Sequence, residues 1–245
     1  MHAAPRQLPL ALDLPVSSAR ADLVEDSSNA AALAWLDRPE DWPAGRLALH
    51  GPPGVGKSHA LAATAAARGW RLLRGPELRR REALDPGAPD TVVDDADCVA
   101  EETALLHLLN ASAERGARVL LSGRDPPARW PVRLPDLASR LRAIHAVAIG
   151  PPSDALLGAL LAKLFADRQL RVEPGMQSWL LARLPREAAA LAEATARLDR
   201  AALAHGGAVN RALARQALAG WEGFGPDDSS GSQGPGTSPG LPRLL

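Results

Sequence analysis

The sequence predicts an α/β fold: a core on a central parallel sheet, followed by a small all-α helical domain. Three observations predict it. Short, uninterrupted apolar runs each precede a helix-forming stretch, as in buried parallel sheets. A glycine-rich octapeptide, Gly51-Pro52-Pro53-Gly54-Val55-Gly56-Lys57-Ser58, separates the first clear run from its helix. Beyond Pro151-Pro152 the apolar runs end and the pattern is wholly helical. At 245 residues the chain has room for one α/β domain and a smaller partner domain.

Residues 1–20 hold Gln7-Leu8-Pro9-Leu10-Ala11-Leu12, with a further proline at Pro15. The prolines favour an extended segment over a helix. In that form Leu8, Leu10 and Leu12 share one side, and Gln7 offers amide hydrogen bonds. Two readings stand: a docking peptide, or a tail packed on its own domain. Residues 27–37 read as a helix with Ser28 or Asn29 as N-cap, and the Asp41-Trp42-Pro43-Ala44-Gly45 turn follows it.

Arg46-Leu47-Ala48-Leu49-His50 reads as a strand, and 59–67 as the helix after the octapeptide. The octapeptide fits G-x-x-x-x-G-K-[ST], the P-loop, in its required strand-to-helix setting. Backbone N–H groups and a helix N-terminus then converge where a phosphate chain can lie. Gly51 and Gly56 allow backbone angles and close approach that a side chain obstructs. Lys57 is placed for the β/γ-phosphates and Ser58 for Mg²⁺, with ADP or ATP as the expected nucleotide.

Trp70-Arg71-Leu72-Leu73 is a short strand candidate, and Leu78 to Glu82 reads as a solvated helical surface. Thr91-Val92-Val93 has the β-branched character of a central strand and runs into Asp94-Asp95-Ala96-Asp97. Carboxylates at the C-terminal end of such a strand lie where α/β sheets bind ligands. Asp94 is therefore assigned to the nucleotide and Mg²⁺, and Asp95 to the attacking water. Cys98 reads as a small buried residue.

A helix is expected over Glu102–Arg115, ending at Gly116. Arg118 to Ser122 form the next buried strand, with Ser122 placed to sense the γ-phosphate or hold the water. Leu134 to Arg142 and a strand at 146–149 close the core, and Arg140 is either solvated or directed at a neighbour's phosphate. Helices are expected near 153–170, 174–184, 187–205 and 208–219, with Arg186 turned back toward the nucleotide. The division is 1–20, 21–150, 151–220 and a disordered tail over 221–245, which is rich in Gly, Pro and Ser.

Formal net charge is +0 and the pI is about 7.0, which argues against a dedicated DNA-binding domain. A single cysteine excludes an internal disulfide and a cysteine-rich metal site. With no signal pattern and no membrane-length apolar run, the expected compartment is the cytoplasm.

Taken together, residues 5–220 resemble the AAA+ ATPases of the bacterial replication initiator DnaA branch, in its short regulatory form without a DNA-binding domain. Gln7 to Leu12 look like that family's motif for the sliding clamp, the β subunit of DNA polymerase III. Ser28-Asn29-Ala30 with Asp41-Trp42-Pro43 look like the alphaproteobacterial form. Leu134-Pro135-Asp136-Leu137-Ala138-Ser139-Arg140-Leu141 is similar to the family's arginine-finger box, which implies that role for Arg140. Leu184-Pro185-Arg186-Glu187 resembles the sensor 2 segment, which implies nucleotide contact by Arg186.

The resemblance implies a negative regulator that docks on the clamp and stimulates ATP hydrolysis by DnaA, reaching DNA only through the clamp. It implies no membrane partner and leaves self-association open. One departure stands out: after Ser122-Gly123 the sensor 1 strand has Arg124 where the family has Asp, with Asp125 one place later. A conventional sensor 1 carboxylate is therefore not expected. A helicase-loader-like or DnaA-like ATPase, and a clamp adaptor without stimulating activity, are the alternative readings.

Overall fold

The computed structural model describes residues 23–83, 85 and 89–225. The docking candidates Gln7, Leu8, Leu10 and Leu12 lie outside the described residues, as do residues 226–245 of the expected tail.

Five parallel strands form the central sheet: β1 (Arg46–His50), β2 (Arg71–Arg74), β3 (Thr91–Asp94), β4 (Val119–Gly123) and β5 (His145–Ala148). Their order is β2-β3-β4-β1-β5, so β4 is inserted between β1 and β3. The strand ends that carry the loop and the acidic turn consequently flank the end of β4.

Alternation along the strands divides the core into two layers. Leu47, Leu49, Val92 and Leu120 face α1 (Ala30–Asp37) and α2 (Lys57–Arg68). Ala48, Val93, Val119 and Leu121 face α3 (Arg80–Ala83), α4 (Glu102–Arg115) and α5 (Pro135–Arg142). Both layers are nearly dry, with β4 buried along its whole length. Edge strand β2 alternates instead between half-buried and exposed residues.

Several local expectations change. Asn29 stands at the α1 N-cap position, but its side chain does not cap the helix. Its amide instead receives the Asp26 N–H at 2.9 Å and donates to the Val24 carbonyl at 2.9 Å, closing the preceding turn. In the stretch at 78–82, Arg79, Arg80 and Arg81 are exposed as expected, whereas Leu78 is anchored in the core and the helix is confined to α3. Cys98 is exposed, since it lies on the turn after β3 rather than beneath it.

Helices α6 (Asp154–Asp167), α7 (Met176–Leu181), α8 (Ala188–His205) and α9 (Arg211–Leu218) share a separate apolar cluster. Ser153 caps α6 by accepting the Leu156 N–H at 3.0 Å, and Asn210 caps α9 by accepting that of Leu213 at 2.9 Å. A single parallel bridge, Val172 to Val209, interrupts the all-helical pattern. Trp221 and Phe224 pack on this cluster, with the Trp179 and Phe224 rings 5.6 Å apart. Packing thus extends to Gly225, and the assignment of 221–225 to a disordered tail is corrected by these two aromatics.

Candidate functional site

The loop between β1 and α2 is held by the ends of the neighbouring strands. Gly51 donates its N–H to the Arg124 carbonyl at 3.1 Å, beyond β4. A Cβ on Gly51 would stand 2.2 Å from the Ile149 carbonyl oxygen beyond β5, so only glycine fits. Gly56, at φ 97°, turns the chain into α2, and the first N–H groups of that helix face the loop.

Lys57 is 8% exposed, and its ammonium donates to the Gly51 and Pro52 carbonyls at 2.7 and 2.8 Å. Burial pulls its pKa below the ordinary value; the carboxylates of Asp95, Asp97 and Asp94 act in the opposite direction. The pKa of His50, at the end of β1, is also lowered, first by burial.

The Ser58 hydroxyl lies 3.1 Å from Asp94 Oδ1, joining the loop to β3. Ser122 donates to the same oxygen at 2.6 Å and accepts the Asp95 N–H at 2.9 Å. Asp94 is 5% exposed and Ser122 is 0% exposed, so this three-residue cluster is dry on its inner side. Ser58 and Asp94 offer adjacent hard oxygen donors, which suits Mg²⁺. Among the described residues no group of three or more His, Cys, Asp or Glu side chains forms a metal cage. A Mg²⁺ ion here would therefore complete its shell with water and phosphate oxygens, as that ion does at nucleotide sites.

Asp95 adopts left-handed backbone angles (φ 53°), and its carboxylate pairs with Arg74 at 3.1 Å on the surface. Arg74 is the β2 register partner of Asp94, so the edge strand delivers this cation to the acidic turn. Asp97 accepts the Arg124 N–H at 2.8 Å. Cys98 lies in the same turn; desolvation, then Asp97, push its thiol up, so it is not an activated nucleophile. Behind the turn, a Cβ on Gly75 would meet the Asp95 carbonyl oxygen at 2.1 Å. Gly75→Ala is expected to displace that backbone at a cost of about 1–3 kcal/mol. Calorimetry should then show an unfolding midpoint roughly 2–10 °C lower.

The structure does not bring Arg186 to the loop. Its guanidinium pairs with Asp154 in the first turn of α6 and donates to the Pro152 carbonyl at 3.2 Å. The next residue, Glu187, is there instead: a Cβ on Gly54 would meet the Glu187 Cδ at 2.6 Å. The sequence pattern of 184–187 is adjacent to the loop through its glutamate, not its arginine.

Arg140 lies on α5, half-buried, and among the described residues its side chain has no hydrogen-bond or ion-pair partner. Its charge bears on Arg46, whose pKa is lowered first by burial and then by Arg140. Arg46 begins β1 whereas the loop follows its end, so Arg140 is at the opposite end of the strand from its own loop. Sequence reasoning passed over Arg46, Arg74 and Glu187. For Arg74 the available signal was its position at the end of the strand before β3.

No protein-family model matches the chain. Among solved structures, it resembles domain III of the Thermotoga maritima replication initiation protein DnaA, with a TM-score of 0.69 at 16% identity over 86% of this chain and 98% of that one. A replication initiator DnaA bound to AMPPCP and single-stranded DNA aligns with a TM-score of 0.61 at 14% identity over 73% of this chain. The chain spans 63% of the length of that initiator. The Thermotoga maritima RuvB Holliday junction branch migration motor aligns with a TM-score of 0.56 at 14% identity, over 71% of this chain and 61% of that one. Five parallel strands in the order β2-β3-β4-β1-β5, a loop at the end of β1 and helices at the C-terminal side give this chain the fold of DnaA domain III.

Proposed function

We propose that the chain is a nucleotide-bound AAA+ regulator of the Hda type, which docks on the sliding clamp and stimulates ATP hydrolysis by DnaA. In this reading 21–150 is the nucleotide-binding domain and 151–220 a helical lid. ADP or ATP lies along the loop, its phosphates met by the loop N–H groups, the α2 N-terminus and Lys57. Ser58 and Asp94 hold Mg²⁺, which when bound offsets the phosphate charge. The observation that carries the regulatory part is Arg140, without a hydrogen-bond or ion-pair partner among the described residues, near Arg46 and remote from its own loop. Two neighbouring guanidiniums repel each other, and an anion arriving from another subunit relieves that repulsion.

The rival reading, a loader-like ATPase acting on its own nucleotide, is less well supported. Ser122 is fully committed to Asp94 and Asp95, and the Asp95 carboxylate is tied to Arg74.

The test measures ATP turnover by DnaA in the presence of DNA-loaded clamp, with this protein and with its Gln7→Ala variant. Acceleration by the wild type, lost in Gln7→Ala together with clamp binding, is the expected result. Clamp binding with an unchanged hydrolysis rate would leave only the adaptor reading. Strong turnover by this chain alone would favour the loader.

A further inference from the structure

We infer that Glu102 is the positioning residue for Arg140: its carboxylate fixes the first end of α5, so that the last turn presents the guanidinium to a neighbouring subunit. The inference rests on the arginine-finger reading of Arg140. Its starting point is three hydrogen bonds to one carboxylate. The Arg133 N–H donates to Glu102 Oε1 at 2.9 Å and to Oε2 at 3.0 Å, and the Leu134 N–H donates to Oε2 at 2.8 Å. Glu102 is the first residue of α4, and Leu134 stands at the N-cap position of α5. The carboxylate therefore lies at the positive ends of two helices at once.

The start of α5 has no cap of its own. Leu134 offers no side-chain oxygen, and Pro135 at the first helical position has no N–H. The other acids at these two helix starts are disposed differently. Glu101 faces Arg79 at 3.6 Å, and Asp136 is exposed in the first turn of α5. Among the described residues Glu102 has no ion-pair partner, so both of its oxygens serve the backbone ahead of α5.

Helix α5 runs from one end of the sheet toward the other. Glu102 follows the acidic turn at the C-terminal end of β3, on the side of the loop. Arg140 bears on Arg46 at the start of β1, on the opposite side. Eight residues make a rod of about 12 Å between them. Leu137 and Leu141 set the depth of that rod in the core. Apolar contact is non-directional and tolerates sliding, whereas hydrogen bonds to one carboxylate hold the rod at one place along its axis. Displacement of the anchored end is carried to Arg140, and misplacing a catalytic group by about 1 Å can cost on the order of 10²-fold in rate.

The test is single-turnover ATP hydrolysis by DnaA with DNA-loaded clamp and increasing amounts of the full chain, as wild type, Glu102→Gln, Glu102→Ala and Arg140→Ala. Each titration yields a maximal rate and a half-saturating concentration. Glu102→Ala should lower the maximal rate roughly 10- to 10²-fold and leave the half-saturating concentration within about twofold, with melting close to that of the wild type. Glu102→Gln should fall between, because it keeps one acceptor oxygen and turns an amide donor toward the other N–H. An unchanged maximal rate in Glu102→Ala, with the rate lost in Arg140→Ala, overturns the inference and leaves the finger reading standing. Unchanged rates in both variants, or no stimulation by the wild type, overturn the two together. A rate that falls only in step with melting, or with a rising half-saturating concentration, also overturns the inference, since it marks a loosened fold or interface.

Discussion

Arg140→Ala is expected to abolish the stimulation of DnaA-bound ATP hydrolysis, a loss on the order of 10³-fold or more where an arginine finger acts in trans. The substitution should leave the fold alone. Leu137 and Leu141, at 0% and 1% exposure, carry the packing of α5, and the half-buried Arg140 side chain makes no internal bond among the described residues. Its removal also relieves the like-charge repulsion felt by Arg46. The variant should therefore melt with the wild type, bind nucleotide at its own loop and bind clamp, while turnover by DnaA stays at the unstimulated rate. Full stimulation by Arg140→Ala would show that another group enters the neighbour's site. Single-turnover hydrolysis of ATP preloaded on DnaA is the cleanest readout, because it excludes nucleotide exchange.

Lys57→Ala should weaken binding of either nucleotide on the order of 10²-fold, the loss of two charge-assisted contacts at a water-poor position. Its effect on stability should be small, for opposing reasons. The substitution removes a buried ammonium whose lowered pKa records the cost of desolvation. It also removes two bonds to loop carbonyls. Equilibrium titration with ADP and AMPPCP, alongside thermal melting, separates the terms: affinity should collapse while the midpoint moves by a few degrees. An affinity equal to that of the wild type would move the nucleotide away from the loop altogether.

The elements that residue type alone could locate are those buried on both faces or bounded by prolines and glycines. Thr91-Val92-Val93 and Val119-Leu120-Leu121 are runs with no polar interruption, and each became an inner strand. The loop was legible because its chemistry is local: glycines, a lysine and a serine at fixed spacing between a strand and a helix. The Asp94 pairing followed from strand ends meeting at one edge of a parallel sheet. Side-chain direction was not legible in the same way. Arg186 and Glu187 are neighbours in sequence, and which of them faces the loop depends on Asp154, which is 32 residues from Arg186 and offers it a carboxylate. Cys98 looked buried because cysteine is usually a small buried residue, yet the turn that follows β3 leaves it exposed. The two prolines and three leucines near the N-terminus fixed only extension, so their partner had to come from resemblance.

Glu187 beside Gly54 has a consequence for how the two parts of the molecule communicate. A carboxylate and a phosphate are both anions, and one small cradle of N–H groups favours only one of them at a time. A nucleotide phosphate seated beside Gly54 would meet the Glu187 carboxylate, so loading the loop would require Glu187, at the N-terminal end of α8, to shift, and holding α8 in place would make the loop harder to load. Loading and helix position are then a single linked equilibrium, in which each shifts the other by the same free energy. A protein that grips only the helices gains a reading of what occupies the loop, at a distance and without touching it.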